Sequence, residues 1–170
     1  MTEPIFDHDR LDVYQVAIEY TADAFDAFVA GRALLASSDG ALTAAQQSEL
    51  EGYRDAAVQA WELAIAATVI HYINDVLADM AAFGTDEYAF VDHAKHWSEL
   101  KGFALGLQFN PRSPIHEGTR FADLHGFIGD RPVLENADAG DISAYQTALG
   151  SARDLLRDAY GFSTANVEGW

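Results

Sequence analysis

Apolar residues recur along the first part of the chain at alternating spacings of three and four. This spacing places them on one face of an α-helix, as a single apolar seam of the kind that faces a protein core. The seam residues are Leu11, Tyr14, Ile18, Thr21, Phe25 and Phe28. We therefore predict a first helix over residues 9–35, followed by a turn over residues 37–43.

The next segment predicts a long second helix over residues 44–82. Thr43 precedes it and Gln46 stands three residues later, which is the spacing of a capping box. The middle of this helix is apolar on most faces, so we expect it to be the most buried element. Its most apolar run, residues 56–73, fits a buried core helix better than a membrane span. The polar residues in that run are Gln59, Glu62 and His71.

A third helix is predicted over residues 86–109, with Thr85 as its N-cap and Pro111 just beyond its end. Its expected core residues are Trp97, Phe103, Leu107 and Phe109. Gly102 and Gly106 lie four residues apart, and glycine inside a helix costs about 0.5–1 kcal/mol relative to alanine. The expected gain is the close approach of a neighbouring helix, or, alternatively, of a ligand.

Residues 110–140 are rich in proline and glycine and predict an irregular connection with short helical turns. A fourth helix is predicted over residues 142–160, with Asp141 as its cap and Gly161 at its end. Four amphipathic helices without an alternating strand pattern predict an all-α fold, specifically a four-helix bundle. We expect residues 1–170 to form this bundle as a single domain.

The formal net charge of −17 arises from 27 acidic and only 10 basic residues. Because nucleic-acid binding needs clustered lysine and arginine, this composition argues against a nucleic-acid partner and against an anionic membrane surface. The acidic excess could attract cations, although a solvated, self-repelling surface is the simpler explanation and the one we favour. The chain contains no cysteine, which excludes disulfides and thiolate chemistry.

One helix face carries residues that could bind a metal ion. His93, His96 and Glu99 follow one another at spacings of three, so they share a face of the third helix. Imidazole and carboxylate groups ligate metals in helical bundles, but a further donor must come from another helix. His71 of the second helix is the best such donor, and Asp75 one turn below could be a ligand or could orient His71.

The same residues also have an ordinary structural explanation. His71 could be a hydrogen-bonded core histidine, and Glu99 could pair with a neighbouring lysine. His116 and His125 of the irregular connection could complete a site as a lid, or could simply be solvated. No nucleophile elbow, P-loop or dinucleotide-binding motif is present.

Three segments of the chain resemble uncharacterised bacterial helical domains related to imelysin. They are "YRDAAVQAWELAIAATVIHYINDVLADM", "HAKHWSELKGFALGLQFNPRSPI" and "ISAYQTALGSARDLLRDAYGF", which together span roughly residues 53–162. The resemblance implies a helical protein outside the cytoplasmic membrane, linked to iron uptake, with a G-x-H-x-x-E metal motif. His96 and Glu99 match the H-x-x-E part, whereas Ala94 stands at the glycine position.

The opening stretch "FDHDRLDVYQVAIEY", residues 6–20, is similar to the start of small four-helix bundle proteins first noted as intervening sequences of ribosomal RNA genes. This second resemblance covers only the first helix. Both resemblances imply an all-α bundle, so the expected fold class does not depend on choosing between them.

These observations give one leading function and two alternatives. We expect a non-enzymatic, imelysin-like domain that binds a divalent metal ion (iron or zinc) or a small ligand through His71, His93, His96 and Glu99. The first alternative is an interaction module that forms homo-oligomers through an aromatic face without metal. The second is a metal-dependent hydrolase in which Glu99 activates a metal-bound water. The N-terminus has no signal-peptide features, which predicts a cytoplasmic protein if the chain is complete, and a cell-envelope or periplasmic one if it is a trimmed imelysin-like domain.

Overall fold

The computed structural model describes the backbone of residues 13–170 and the side chains of residues 19–170. Every regular element in this part of the chain is helical, which confirms the predicted all-α class. The six α-helices are α1 (Val13–Ala36), α2 (Ala44–Ala81), α3 (Phe90–Gly106), α4 (Arg120–Ile128), α5 (Ala139–Tyr160) and α6 (Thr164–Gly169). Single 3₁₀ turns lie at Leu107–Phe109 and Pro114–His116. The predicted four-helix bundle is not confirmed.

Prediction and structure agree best for the start of α2 and the end of α5. The capping box before α2 is present: Thr43 Oγ1 accepts a hydrogen bond from the Gln46 backbone at 3.3 Å, and the Gln46 side chain accepts one from the Thr43 backbone at 3.0 Å. α5 ends at Gly161, whose φ of 72° is left-handed and suits glycine. α5 begins earlier than predicted, after Asp138, so Asp141 lies inside its first turn.

Two predicted boundaries around α3 and α4 are wrong. Thr85 does not cap α3, because its hydroxyl donates to Ala82 O at 2.7 Å and accepts from the Glu87 backbone at 3.2 Å, within the turn that follows α2. α3 therefore begins only at Phe90. The connection after α3 is less irregular than expected, since nine of its residues form the amphipathic helix α4. The predicted start of the first helix at residue 9 lies outside the described residues.

The hydrophobic core surrounds the C-terminal half of α2. Val69, Ile70, Ile73 and Val76 of α2 have no exposed surface. The facing side chains from α3, α4, α5 and α6 include Leu100, Leu124, Ile128, Leu149, Leu156 and Val167. This burial agrees with the prediction of a core helix. By length and composition alone, α2 is also the one helix in the described part of the chain that could cross a membrane, a test that buried core helices pass as well.

α1 and the first half of α2 form an antiparallel hairpin. The least exposed side chains of α1 repeat at spacings of four and three, and they define the inner seam: Tyr20, Ala24, Ala27, Gly31 and Leu34. At Gly31 the two helices approach so closely that a Cβ atom there would lie 3.4 Å from Leu50 and 3.5 Å from Tyr53. The corresponding positions of α2 are Leu50, Tyr53, Ala57 and Ala60.

The seam predicted from the sequence is one residue out of register with this inner seam. Phe25 and Phe28 were expected to face the core, but their side chains are 67% and 75% exposed. The prediction is wrong for these two residues, because the smaller side chains Ala24 and Ala27 allow α1 to lie closer to α2. The side chains of Leu11, Tyr14 and Ile18 lie outside the described set.

The C-terminal end of α3 also differs from expectation. Leu107 is buried and Trp97 partly buried, as predicted, but Phe103 and Phe109 are 40% and 80% exposed. The chain tightens into a 3₁₀ turn at Leu107, and the changed rotation per residue turns Phe109 away from the core. The close approach expected at Gly102 and Gly106 is absent from the described structure, since a Cβ atom at either position would meet no atom within 4 Å.

Candidate functional sites

α3 places His96 against two carboxylates of α2. His96 Nδ1 lies 2.8 Å from Asp79 Oδ2, and His96 Nε2 lies 4.0 Å from Asp75 Oδ2. The same Asp75 oxygen lies 3.3 Å from His71 Nε2, one turn back along α2. We call these four residues the His–Asp strip. The strip contains two of the four predicted metal ligands, the predicted neighbour Asp75, and Asp79, which sequence reasoning missed.

His93 is buried in an aromatic cluster and not on the strip. Its ring has no exposed surface and packs against Phe83 and Tyr88, with its Nδ1 3.2 Å from the Tyr88 hydroxyl. Burial is the main cause that lowers the pKa of His93. The nearby charge of Asp79 raises this pKa, and His96 lowers it further. The imidazole is therefore best accommodated as a neutral, structural group.

Within the described residues, no hydrogen bond or ion pair joins Glu99 to the strip. Its Oε2 atom is buried and has no hydrogen-bond partner among the described residues. A pairing of Glu99 with Lys101, the structural alternative considered from the sequence, is also absent there, because the Lys101 ammonium donates to Gly129 O at 2.6 Å and lies 3.7 Å from Asp130. The described arrangement therefore does not bring Glu99 into a ligand group with the histidines it was expected to join.

The residues present do not fit a metal centre as they are arranged. Within residues 19–170, no group of three or more histidine, aspartate or glutamate side chains has the geometry to hold a metal ion. One reason is that His96 Nδ1 is already engaged by Asp79, while His93 and Glu99 face other surroundings. Metal binding through His71, His93, His96 and Glu99 therefore remains a prediction.

The two histidines of the connection pack on an aromatic ring instead of completing a site at the strip. His116 is exposed, with its ring centroid 5.6 Å from that of Phe121. His125 meets Phe121 edge to face at 4.5 Å, and burial lowers its pKa, with Lys101 acting in the same direction. Both rings belong to the packing around α4.

A second polar cluster, which sequence reasoning did not identify, centres on Glu62 of α2. This side chain is only 6% exposed. Its Oε1 accepts hydrogen bonds from the hydroxyls of Ser113 and Tyr160, the latter at 2.7 Å, and its Oε2 accepts one from the Asn110 amide. Burial raises the pKa of Tyr160 well above its usual range, and Glu62 contributes to the shift. The cluster joins α2, the connection and α5.

A cavity of about 440 Å³ opens beside this cluster, and we call it the Glu62 cavity. Polar groups at its floor are Glu62, Asn110 and Tyr160, and its remaining lining is Asp55, Val58, Gln59, Leu63, Arg112, Pro114 and Ala159. The cluster lacks the parts of a nucleophilic site. Ser113 is 4% exposed, and its hydroxyl oxygen accepts a hydrogen bond from the Ile115 backbone at 3.2 Å. The arrangement suits binding better than covalent chemistry.

No family model matches the chain, and no curated protein or solved structure is significantly similar to it. The resemblance to imelysin-related domains and the resemblance to the ribosomal RNA intervening-sequence proteins therefore remain predictions. Function has to be inferred from the geometry of the chain's own residues.

Proposed function

We propose that this protein is a self-associating helical module, in which the hairpin of one copy packs against the hairpin of a second copy. The observation that supports it is a group of exposed apolar side chains on one side of the hairpin, which we call the outer face. It consists of Phe25, Phe28 and Leu35 of α1 with Val58 and Trp61 of α2. Clustered exposed apolar side chains mark interaction surfaces, whereas single ones do not.

The spacing of the outer face on α1 is that of a coiled-coil seam. Phe25, Phe28, Arg32 and Leu35 follow one another at spacings of three, four and three, the pattern that fits a neighbouring helix. Each of these residues directly follows a residue of the inner seam, so α1 carries two adjacent seams. α2 occupies the inner one. The spacing of the outer one makes a helix its best occupant.

The two helices contribute to the same side of the hairpin. In an antiparallel pair, positions that follow the contact seam by one residue lie on the same side of both helices. Phe25 and Phe28 follow Ala24 and Ala27 in α1 in this way. Val58 and Trp61 follow Ala57 and Ala60 in α2. The apolar outer face therefore continues onto α2 at Val58 and Trp61, whereas the α2 positions that follow Leu50 and Tyr53 are the charged Glu51 and Arg54.

Size and symmetry favour a second copy as the occupant, although two acidic copies repel each other at long range. The acidic residues Glu19, Asp23 and Asp26 precede the inner seam and so lie on the opposite flank, while the outer seam contains the cation Arg32. A large aromatic side chain buries about 150–250 Å², so two outer faces together supply on the order of 1,000 Å², the lower range of specific interfaces. Two-fold pairing of identical patches is the commonest form of self-association.

This arrangement would create a four-helix bundle between copies. Two α1 helices and two α2 segments would surround a shared core made of the two outer faces. The four-helix bundle expected from the sequence would then be completed by association and not within one chain.

Sedimentation velocity on the full chain tests the proposal. We expect a dimer that dissociates on dilution and strengthens with salt, because screening reduces the repulsion between two strongly acidic copies. Phe28→Glu should yield a folded monomer, since it places a charge in the apolar interface. Ala33→Glu is the matched control, because it adds the same charge on the acidic flank, and it should remain dimeric. A wild-type monomer at high protein and salt concentration would overturn the proposal.

The metal-binding and hydrolase functions expected from the sequence have less support. Of their four residues, only His71 and His96 meet, and they do so through an aspartate. We therefore place self-association ahead of metal binding.

A further inference from the structure

The Glu62 cavity has the size and lining of a small-ligand site. Its volume of about 440 Å³ lies within the range of about 300–1,000 Å³ that is typical of such sites. The floor is polar, whereas Leu63, Pro114 and Ala159 supply an apolar wall. A few converging polar groups opposite apolar walls are the usual composition of a pocket that orients a small molecule.

The carboxylate at the floor lacks a cationic partner among the described residues. All three of its hydrogen-bond donors, from Asn110, Ser113 and Tyr160, are neutral. The cation of the cavity lining, Arg112, is half exposed at the rim and lies 3.6 Å from Asp55. A carboxylate withdrawn from water is costly unless charge or hydrogen bonds compensate it. At Glu62 the compensation comes from hydrogen bonds alone.

One acceptor position of this carboxylate is left for a ligand. A carboxylate offers about four acceptor positions, two on each oxygen. Glu62 Oε1 accepts hydrogen bonds from the hydroxyls of Ser113 and Tyr160, so both of its acceptor positions are occupied. Oε2 receives only the Asn110 amide. A donor entering from the cavity would therefore bind at Oε2.

We propose that the Glu62 cavity binds a small organic cation, a primary alkylammonium. Its N–H group donates to Glu62 Oε2, and its alkyl chain lies along the wall formed by Leu63, Pro114 and Ala159. The net charge of −17 concentrates cations around the protein and repels anions of the same size.

Calorimetric titration with n-butylammonium chloride tests the proposal, with sodium butyrate and 1-butanol as probes of equal chain length. We expect saturable binding of butylammonium only, accompanied by a higher melting temperature. Amide shifts in NMR spectra should cluster at residues 59–63, at the non-proline residues of 110–113, and at residues 159–160. The absence of saturable binding, or equal binding of butyrate, would overturn the proposal.

Two variants test separately how the charge of Glu62 and the volume of the cavity contribute to binding. Glu62→Gln should weaken binding on the order of tenfold or more, because it removes a charge-assisted hydrogen bond, whereas Glu168→Gln on the exposed surface should bind normally. Ala159→Leu fills the cavity without touching the hydrogen bonds of Glu62, so it remains informative if Glu62→Gln fails to fold. It should also lose binding, and retained affinity in this variant would contradict the site. Repeating the titration with Phe28→Glu shows whether binding depends on self-association.

Discussion

The Trp97 indole donates a hydrogen bond to the Tyr145 hydroxyl at 2.8 Å, deep between α3 and α5. The same hydroxyl donates to Ile128 O at 2.8 Å, at the end of α4. Three helices therefore meet at one oxygen atom. Burial raises the pKa of Tyr145 to about 12, against the effect of the Trp97 hydrogen bond, so the hydroxyl keeps its proton and continues to donate at neutral pH.

Tyr145→Phe should destabilise the fold by about 1–3 kcal/mol. The substitution preserves the ring but leaves the Trp97 N–H and the Ile128 carbonyl without their buried partner, which is the costly way to lose a hydrogen bond. Urea denaturation measures the change. Tyr53→Phe is the control, since the Tyr53 hydroxyl bonds Glu49 on the exposed surface of α2, and its loss should change the free energy of unfolding by less than about 1 kcal/mol. Equal effects of the two variants would contradict this role of Tyr145.

Lowering the pH should reduce the free energy of unfolding of the protein through His93. The pKa of this imidazole is lower in the folded state than its usual value of 6.5, mainly because the ring is buried. Folding therefore favours the neutral form, and this stabilisation is complete above pH 6.5 and is lost as the pH falls through the folded pKa. His125 acts in the same direction.

His93→Gln isolates this contribution. The variant should be less stable than wild type at neutral pH, but its free energy of unfolding should fall less steeply below pH 6.5. His116→Gln, at an exposed histidine, should keep the wild-type slope. Urea denaturation across the acid range compares the three proteins. A parallel slope in His93→Gln would show that the acid sensitivity arises elsewhere.

Gly102→Ala should stabilise the protein by about 0.5–1 kcal/mol. Gly102 lies inside α3 with open space where a Cβ atom would be, so alanine gains helix propensity without a clash. Gly161→Ala is the opposing control, because the φ of 72° at that position is strained for any residue with a side chain. Thermal melts of both variants should shift in opposite directions. A destabilising Gly102→Ala would indicate a contact that occupies this surface.

The arrangement around His96 predicts that a metal chelator does not change the thermal stability of the protein. Because the described residues form no three-ligand group, we expect no stoichiometric iron or zinc by elemental analysis and the same melting temperature with and without EDTA. Stoichiometric metal that disappears in both His96→Ala and Asp75→Ala would instead support the metal function expected from the sequence. Glu168→Gln serves as a surface control in the same assay.

Local signals in the sequence were sufficient for the fold class and for several helix ends. The Thr43 capping box and the glycine after α5 are determined by residues within one turn, and both are confirmed. The register of α1 could not be obtained this way. Two seams one residue apart are both compatible with the spacing, and the sequence does not show which of them packs on α2; in the structure Gly31 of the inner seam lies against Leu50 and Tyr53.

The Glu62 cluster could not be predicted for a different reason. The sequence does show a glutamate inside an apolar helix, which is a signal of a buried polar site. Its partners Asn110, Ser113 and Tyr160, however, lie 48, 51 and 98 residues away, and no local pattern links them. The His–Asp strip was predicted only in part: the sequence identified His71 and His96, but not every residue that contacts them.

α2 is a single helix that runs from the hairpin with α1 into the hydrophobic core. Its 38 residues span about 57 Å, and no glycine or proline interrupts the stretch from Tyr53 to Ala81. Trp61 of the outer face directly precedes Glu62 on this stretch, and Asp79 follows Glu62 by 17 residues, about 25 Å further along the helix. A partner that covers Trp61 would therefore lie beside the Glu62 cavity and not at the His–Asp strip.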